Sequence, residues 1–287
     1  MKKSCDLHSH STFSDGTNTP EELVSLAEEK GLSALALTDH NTSGGLKRFM
    51  EAGKKSKVIT IPGCEFSTEW KGKEIHVVGL FFREKYWPEI DDFLELTHIA
   101  KVNSNTRLID LLAADGYDIT FEEVSALSGG KDFNRSHVAR VLVQKGVVQN
   151  VPEAFAGLLK ERNGYYYPPK RITSIAAVRF IKTFGAAAII AHPLLNLNEE
   201  ELRVFLPEAK AAGLDAIETE YTEFTPEMKK TAVSLAEEFS LKQSGGSDYH
   251  GLAKPGIDLG TGRGNLFVPY SFYKDMRACS EYDKKDD

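Results

Sequence analysis

Short runs of β-branched and aliphatic residues alternate with longer stretches of helical periodicity along most of the chain. Lys3–Leu7 reads as a strand, followed by Thr19-Pro20-Glu21-Glu22, a capping-box start with proline at the first helical position, and by Gly31 as a stop. Ala34–Thr38 is a short buried strand and Leu46–Lys55 a helix, with further strands at Val58–Ile61 and Ile75–Phe82. The rhythm then breaks. From Pro88 to Ala114 the pattern is helical throughout, and shorter helical pieces follow at Phe121–Leu127, Ser136–Lys145 and Pro152–Lys160. Tyr165-Tyr166-Tyr167-Pro168-Pro169 marks a return linker. Alternation resumes with a helix at Ser174–Phe184, a strand at Ala187–Ala191, a helix at Glu199–Ala212, a strand at Ala216–Glu220, a helix capped by Thr225-Pro226 and a strand at Leu241–Ser244. Seven strands with mostly helical crossovers predict an α/β fold with a parallel sheet, most simply a TIM-like β/α barrel. An open doubly wound sheet is the alternative. The helical block at 95–168 reads as an inserted subdomain, a substrate lid, between barrel parts 1–94 and 169–287. The last residues, Tyr282 to Asp287, read as a frayed tail.

Composition narrows the class. The 287 residues are 41% hydrophobic and 27% charged, as in ordinary globular proteins. No apolar run reaches the roughly 18 residues of a membrane span, and Met1-Lys2-Lys3-Ser4-Cys5-Asp6 has no apolar segment behind its two charges, so no membrane association or secretion is expected. Thirty-five basic against 42 acidic side chains give −7, which disfavours bulk duplex nucleic acid as a partner and leaves short oligonucleotides open. Cys5, Cys64 and Cys279 are too few and too scattered for a disulfide framework and fit the cytoplasm.

The histidines carry the chemical signal. His8, His10, His40, His192 and His250 come just after predicted strands, and His76 lies inside one. In a parallel barrel the strand C-termini share the face that bears active sites. Asp15, Glu65 and Asp248 accompany them. Alternate residues of extended chain point the same way, so both imidazoles of Asp6-Leu7-His8-Ser9-His10 can reach one ion, and Asp248-Tyr249-His250 repeats the step. These donors exceed what one ion can use, so two or three clustered metals are expected. A nitrogen and oxygen set without thiolate favours Mn²⁺, Fe²⁺ or Zn²⁺ over Ca²⁺ or Mg²⁺, with Mn²⁺ first.

Asp6-Leu7-His8-Ser9-His10, Ser14-Asp15-Gly16, Leu37-Thr38-Asp39-His40-Asn41, Gly63-Cys64-Glu65, Glu74-Ile75-His76, Ala191-His192-Pro193 and Gly246-Ser247-Asp248-Tyr249-His250-Gly251 resemble, in order, the motifs of the PHP (polymerase and histidinol phosphatase) family. The resemblance implies a distorted seven-stranded β/α barrel, a trinuclear metal site and phosphoesterase chemistry by metal-activated water, without a protein nucleophile. It also implies a ligand division. His8, His10, Glu65 and Asp248 hold one ion, Glu65, His76 and His192 a second with Glu65 bridging, and Asp15, His40 and His250 the third.

Asn134-Arg135-Ser136-His137-Val138-Ala139-Arg140 is similar to a segment in the helical insertion of PHP enzymes related to ribonuclease AM, with Ser136 where proline is usual. That branch implies nucleoside 3′,5′-bisphosphates or the 5′ ends of short oligonucleotides as substrates, with Arg135 and His137 gripping a phosphate at a helix N-terminus. Asp39, beside His40, reads equally as a group that supports a ligand or as a turn residue. Glu218 and Glu220 lie on the one strand without a family ligand, where Glu220 can support the site or approach substrate but a structural role is the better reading. His98 reads as a plain helix residue and the three tyrosines as linker packing. The alternatives are a histidinol-phosphate or other small-molecule phosphatase, an amidohydrolase, and a non-catalytic metal-stabilised binding module. The oligomeric state is not legible.

Overall fold

The computed structural model describes residues 3–127, 135–161, 164–169 and 171–284, so Asn134 and Lys285 to Asp287 lie outside the described residues. The chain divides into two compact units, one of residues 1–92 and 172–287 and one of residues 93–171.

The first unit is a nearly closed seven-stranded barrel. Its elements begin β1 (Cys5–Asp6), α1 (Pro20–Glu29), β2 (Ala34–Leu37), α2 (Leu46–Gly53), β3 (Ile59–Trp70), β4 (Lys73–Leu80). α3 (Trp87–Ala114) leads into the second unit, which holds α4 (Phe121–Leu127), α5 (Arg135–Gln144) and α6 (Val151–Ala156). The barrel then resumes with β5 (Ile172–Thr173), α7 (Ser174–Thr183), β6 (Ala187–Ile190), α8 (Pro193–Asn196), α9 (Glu199–Ala211), β7 (Ala216–Tyr221), α10 (Pro226–Glu238), β8 (Lys242–Gly246) and α11 (Tyr270–Ala278). Strand order is β1-β2-β3-β4-β6-β7-β8, with β5 pairing only with β3. The ring is drawn together by backbone bonds that join the segment following β1 to β8 and the residues after it, from Leu7 N to Gly245 O at 3.2 Å, Asp248 N to His8 O at 3.0 Å and His10 N to Tyr249 O at 2.9 Å.

The capping box predicted at Thr19 is present, with Glu22 N donating to Thr19 and Thr19 N to the Glu22 carboxylate. The barrel interior is lined by small and branched residues, among them Ala34, Ala36, Ile61, Val78, Ala187 and Ile189, and Tyr273 and Met276 of α11 join that cluster. Leu23, Ala27, Leu35, Leu37 and Phe49 form a second core where α1 and α2 cover the sheet. The helical unit has its own core around Leu108, Leu112, Val124, Val138 and Leu142. Among the described residues no helix is long and apolar enough to cross a membrane.

The sheet is not wholly parallel, and this corrects the sequence reading. β4 runs antiparallel to both β3 and β6. Only Lys71 and Gly72 separate β3 from β4, and a two-residue connection makes a hairpin, never a parallel crossover. Both turn residues have positive φ, 51° at Lys71 and 78° at Gly72, as the hairpin twist requires. The 12 residues of β3 also outrun the predicted Val58–Ile61 strand, because the pairing continues from Gly63 to Trp70 through a polar stretch.

This turn is a clean stability probe, since nothing lies within 4 Å of a Cβ added at Gly72. Gly72→Ala is expected to lose about 1 to 2 kcal/mol in urea unfolding from left-handed backbone strain alone, and Gly72→Asn less, because asparagine tolerates that region. Equal stability of all three proteins would contradict the turn geometry.

Candidate metal centre

Glu65 sits on β3 with its carboxylate wholly buried, and five imidazoles surround it. Oε2 lies 3.1 Å from His8 Nε2, 3.2 Å from His10 Nε2 and 3.1 Å from His40 Nδ1. Oε1 lies 2.9 Å from His76 Nδ1 and 3.2 Å from His192 Nε2. The topology explains the convergence. His8 and His10 follow β1, His40 follows β2, His192 follows β6, and Asp248 and His250 follow β8. β4 runs the other way, so His76, near its beginning, arrives at the same end of the barrel as residues that follow the parallel strands.

The remaining carboxylates complete three overlapping groups. His8, His10, Glu65 and Asp248 form one, His10, Asp15, His40 and His250 another, and His40, Glu65 and His76 a third, each with donor atoms within 4.8 Å of one another. Asp248 Oδ1 faces His10 Nε2 at 3.2 Å, and Asp15 Oδ1 faces His250 Nε2 at 3.2 Å. The structure thus brings His8, His10, Asp15, His40, Glu65, His76, His192, Asp248 and His250 into one cluster. His192 faces Glu65 Oε1 and packs against the His8 and His76 rings but falls outside the three tight groups, where His40 takes its place beside His76.

His76 and His192 hydrogen-bond Glu65 Oε1, but the short distances on the Oε2 side are not hydrogen bonds. His8 Nε2, both ring nitrogens of His10, His40 Nδ1, His250 Nε2 and Glu65 Oε2 are buried and have no hydrogen-bond partner. Such groups cost free energy unless something satisfies them, and nitrogen and carboxylate lone pairs facing a common point are what divalent transition ions take. The residues present fit such ions. Backbone strain agrees with this, for His192 (φ 31°) and Asp248 (φ 55°) both occupy the left-handed region, which non-glycine residues hold only where surrounding structure enforces it.

Charge in the cluster is strongly coupled. Burial alone would raise the Glu65 pKa, but His8, His40 and His76 hold it well below the ordinary carboxylate range. Burial, with His10 and His76 adding to it, pushes His40 down to about 3. For His10 burial acts downward as well, yet Asp248 and Glu65 overcome it and raise the ring to about 9.

An outer layer of residues sets the rings. Glu218 Oε1 lies 2.9 Å from His8 Nδ1, and Glu218 Oε2 accepts from His192 N at 2.7 Å. With its Nδ1–H donated to Glu218, His8 presents Nε2 to the cluster as a lone pair. His250 Nδ1–H likewise donates to the Asp248 carbonyl at 2.8 Å and leaves Nε2 facing Asp15. Asp248 Oδ2 accepts from Tyr221 Oη at 2.9 Å and Lys254 Nζ at 2.7 Å. Asp39 accepts from Ser11 N, Ser11 Oγ and Ser14 Oγ, each at 2.7 Å, and so shapes the loop that carries Asp15. Asp6 accepts from His8 N, Ser247 N, Ser247 Oγ and Gly260 N, tying β1 to β8.

Glu220 ion-pairs with Lys229 of α10 at 2.5 Å, while Glu218 on the same strand supports His8 and His192. The cause is a bulge, for the β7–β8 register shifts between Glu218 and Glu220 and breaks the alternation that would give them one environment. Tyr221 and Asp6 were not legible as contributors, since their partners Asp248 and Ser247 lie far along the chain, and Lys254, six residues beyond Asp248, lies on an irregular segment with no strand or helix periodicity to orient it. Arg135 opens α5, with Nη1 donating to Leu159 O at 3.2 Å, its guanidinium 4.3 Å from the Tyr166 ring centroid and 4.7 Å from that of Phe155. His137 follows on the first turn of α5, and burial, Arg140 and Lys101 lower its pKa. Tyr166 is buried against the helical core and Tyr165 Oη donates to Asp115, whereas Tyr167 is exposed.

Comparison with known proteins agrees with this chemistry. The PHP domain model matches residues 6–167. A 5′-3′ exoribonuclease of Haemophilus influenzae is 35% identical over 87% of this chain and 91% of its own length. A 3′,5′-nucleoside bisphosphate phosphatase of Chromobacterium violaceum is 29% identical over 89% of this chain and 90% of its own. A solved structure from Bifidobacterium adolescentis, described as a metal-dependent phosphoesterase, superposes with a TM-score of 0.76 at 26% identity, covering 97% of this chain and 96% of that one.

The contrast between the two β7 glutamates can be measured. Glu218→Gln replaces one acceptor of the His8/His192 bracket with a donor and is expected to weaken Mn²⁺ binding by roughly 10- to 100-fold in a calorimetric titration. Glu220→Gln is expected to leave it unchanged, and equal effects from the two would contradict the assignment.

Proposed function

This chain belongs to the PHP domain family, and from that premise we propose that it is a phosphoesterase of nucleotides, acting on nucleoside 3′,5′-bisphosphates and the 5′ ends of short oligonucleotides. The observation that carries the reading is the set of unpartnered imidazole nitrogens around the buried Glu65 carboxylate. Two or three divalent ions, Mn²⁺ before Fe²⁺ or Zn²⁺, held by His8, His10, Asp15, His40, Glu65, His76, His192, Asp248 and His250, supply positive charge for phosphoryl oxygens and lower the pKa of water.

The hydroxyls and the thiol next to cluster residues in the chain are committed elsewhere. Ser9 Oγ donates to Ala36 O at 2.6 Å, Ser11 and Ser14 to Asp39, Ser247 to Asp6 and Cys64 Sγ to Asp39 O at 3.5 Å. Water is therefore the nucleophile in this reading, and no covalent enzyme intermediate is needed. Asp15, with a side chain 57% exposed, and His40 are the cluster members most open to solvent, which makes their side the approach for the ester. Arg135 and His137 keep the role that the resemblance gives them, holding the phosphate that is not cleaved. A planar guanidinium suits that task.

Phosphate release from Mn²⁺-reconstituted protein tests the reading. Nucleoside 3′,5′-bisphosphate and short 5′-phosphorylated RNA are expected to be cleaved more efficiently than nucleoside monophosphates or histidinol phosphate. Preference for histidinol phosphate, or no release from any of them, would overturn it. Arg135→Ala is expected to lower bisphosphate efficiency by about 10- to 100-fold relative to monophosphate, the value of one charge-assisted contact. An unchanged ratio would remove Arg135 from substrate binding.

A further inference from the structure

The segment between His10 and Asp15 also carries an exposed aromatic residue, Phe13. Among the described residues the exposed aromatic side chains are Phe13, Phe121, Tyr167 and Phe267, and of these Phe13 alone lies on a segment that carries cluster residues. Leu195 and Leu252 are also exposed, shortly after His192 and His250, but they offer no π-face.

The ring is held in place from several directions. Phe13 N donates to Ser11 Oγ at 3.2 Å, and Ser11 and Ser14 on either side of it are both fixed to Asp39. Thr12 N donates to Asn18 O at 2.9 Å and locks the base of the loop. Gly44 and Gly45 back the ring so closely that a Cβ on either would come within 3.1 or 3.2 Å of a Phe13 ring carbon. The Arg48 guanidinium lies 5.7 Å from the ring centroid and is itself gripped by Glu21 through two bonds of 2.8 Å. What these contacts leave open is 38% of the residue, on the loop that ends in the most exposed carboxylate of the cluster.

An anchored, partly exposed aromatic residue on the loop that joins His10 and Asp15 of a phosphate-cleaving centre suits a flat, weakly polar partner attached to that phosphate. Of the parts of a nucleotide, only the base has such a face, and every base has one. We infer that Phe13 is the platform on which the base of the substrate stacks, which makes it a specificity residue for nucleotides over other phosphate esters and indifferent to base identity. This rests on the nucleotide reading proposed above and names the part of the substrate that the barrel recognises apart from its phosphate.

The test compares a nucleoside 3′,5′-bisphosphate with methyl riboside 3,5-bisphosphate, which lacks the base, on Mn²⁺-loaded wild type and on Phe13→Ala, Phe13→Leu and Phe13→Trp. Base stacking on an aromatic side chain changes affinity by roughly 5- to 150-fold. Phe13→Ala and Phe13→Leu are both expected to raise KM for the nucleotide within that range, with kcat held and the base-free compound unaffected. Phe13→Leu keeps apolar bulk, so its failure to rescue separates stacking from loop packing. Phe13→Trp is expected to restore the nucleotide preference, and its indole fluorescence should be quenched by a nucleoside monophosphate but not by methyl riboside phosphate. Equal effects on both substrates, or none on either, would overturn the platform and leave the nucleotide reading standing. If wild type cleaves neither compound, the nucleotide reading fails, and the selective quenching then decides Phe13 by itself.

Discussion

Everything at the mouth of the barrel depends on keeping one carboxylate charged where water cannot reach it. Glu65 is completely buried, and its two oxygens face five imidazole nitrogens at 2.9–3.2 Å. A buried carboxylate without compensation would take up a proton instead of remaining ionised. Here the surrounding histidines hold its pKa well below normal, although several of their own nitrogens have no hydrogen-bond partner. Positive charge completes this arrangement, and divalent ions bring it without requiring the rings to be protonated.

The barrel is built to deliver those groups to one point. Parallel strands place His8, His10, His40, His192, Asp248 and His250 just past their ends, and the antiparallel β4 delivers His76 from its beginning. Strain is accepted where delivery demands it, in the positive φ of His192 and Asp248. Glu218, Asp39, Asp6 and the Tyr221–Lys254 pair then fix tautomer, loop and carboxylate orientation. These interactions lie outside the cluster but determine which lone pairs it presents.

Much of this could be read in the sequence, for physical reasons. Histidines beyond strand ends stand out because alternation and helix caps mark the strands on their own, and the H-x-H step is a local geometry. The direction of β4 was missed because the signal was two residues, Lys71 and Gly72, in a polar stretch that carried the pairing well beyond the apolar run. Glu218 was missed as a support for His8 and His192 because strand alternation predicts one environment for it and Glu220, and the bulge that separates them is set by pairing with β8. Asp6 with Ser247, or Tyr221 with Asp248, are contacts between neighbouring strands far apart in the chain that no local pattern encodes. The limits of the helical unit follow from where its core residues cluster.

The central claim is that Glu65 is shared between ions, and metal stoichiometry reads it directly. After reconstitution with Mn²⁺ and removal of free metal, elemental analysis of wild type should give two or three ions per chain. Glu65→Gln, nearly isosteric but uncharged, should lose more than one of them, since both of its oxygens face imidazoles of different groups. One ion or fewer in wild type, or loss of no more than one in Glu65→Gln, would contradict the account.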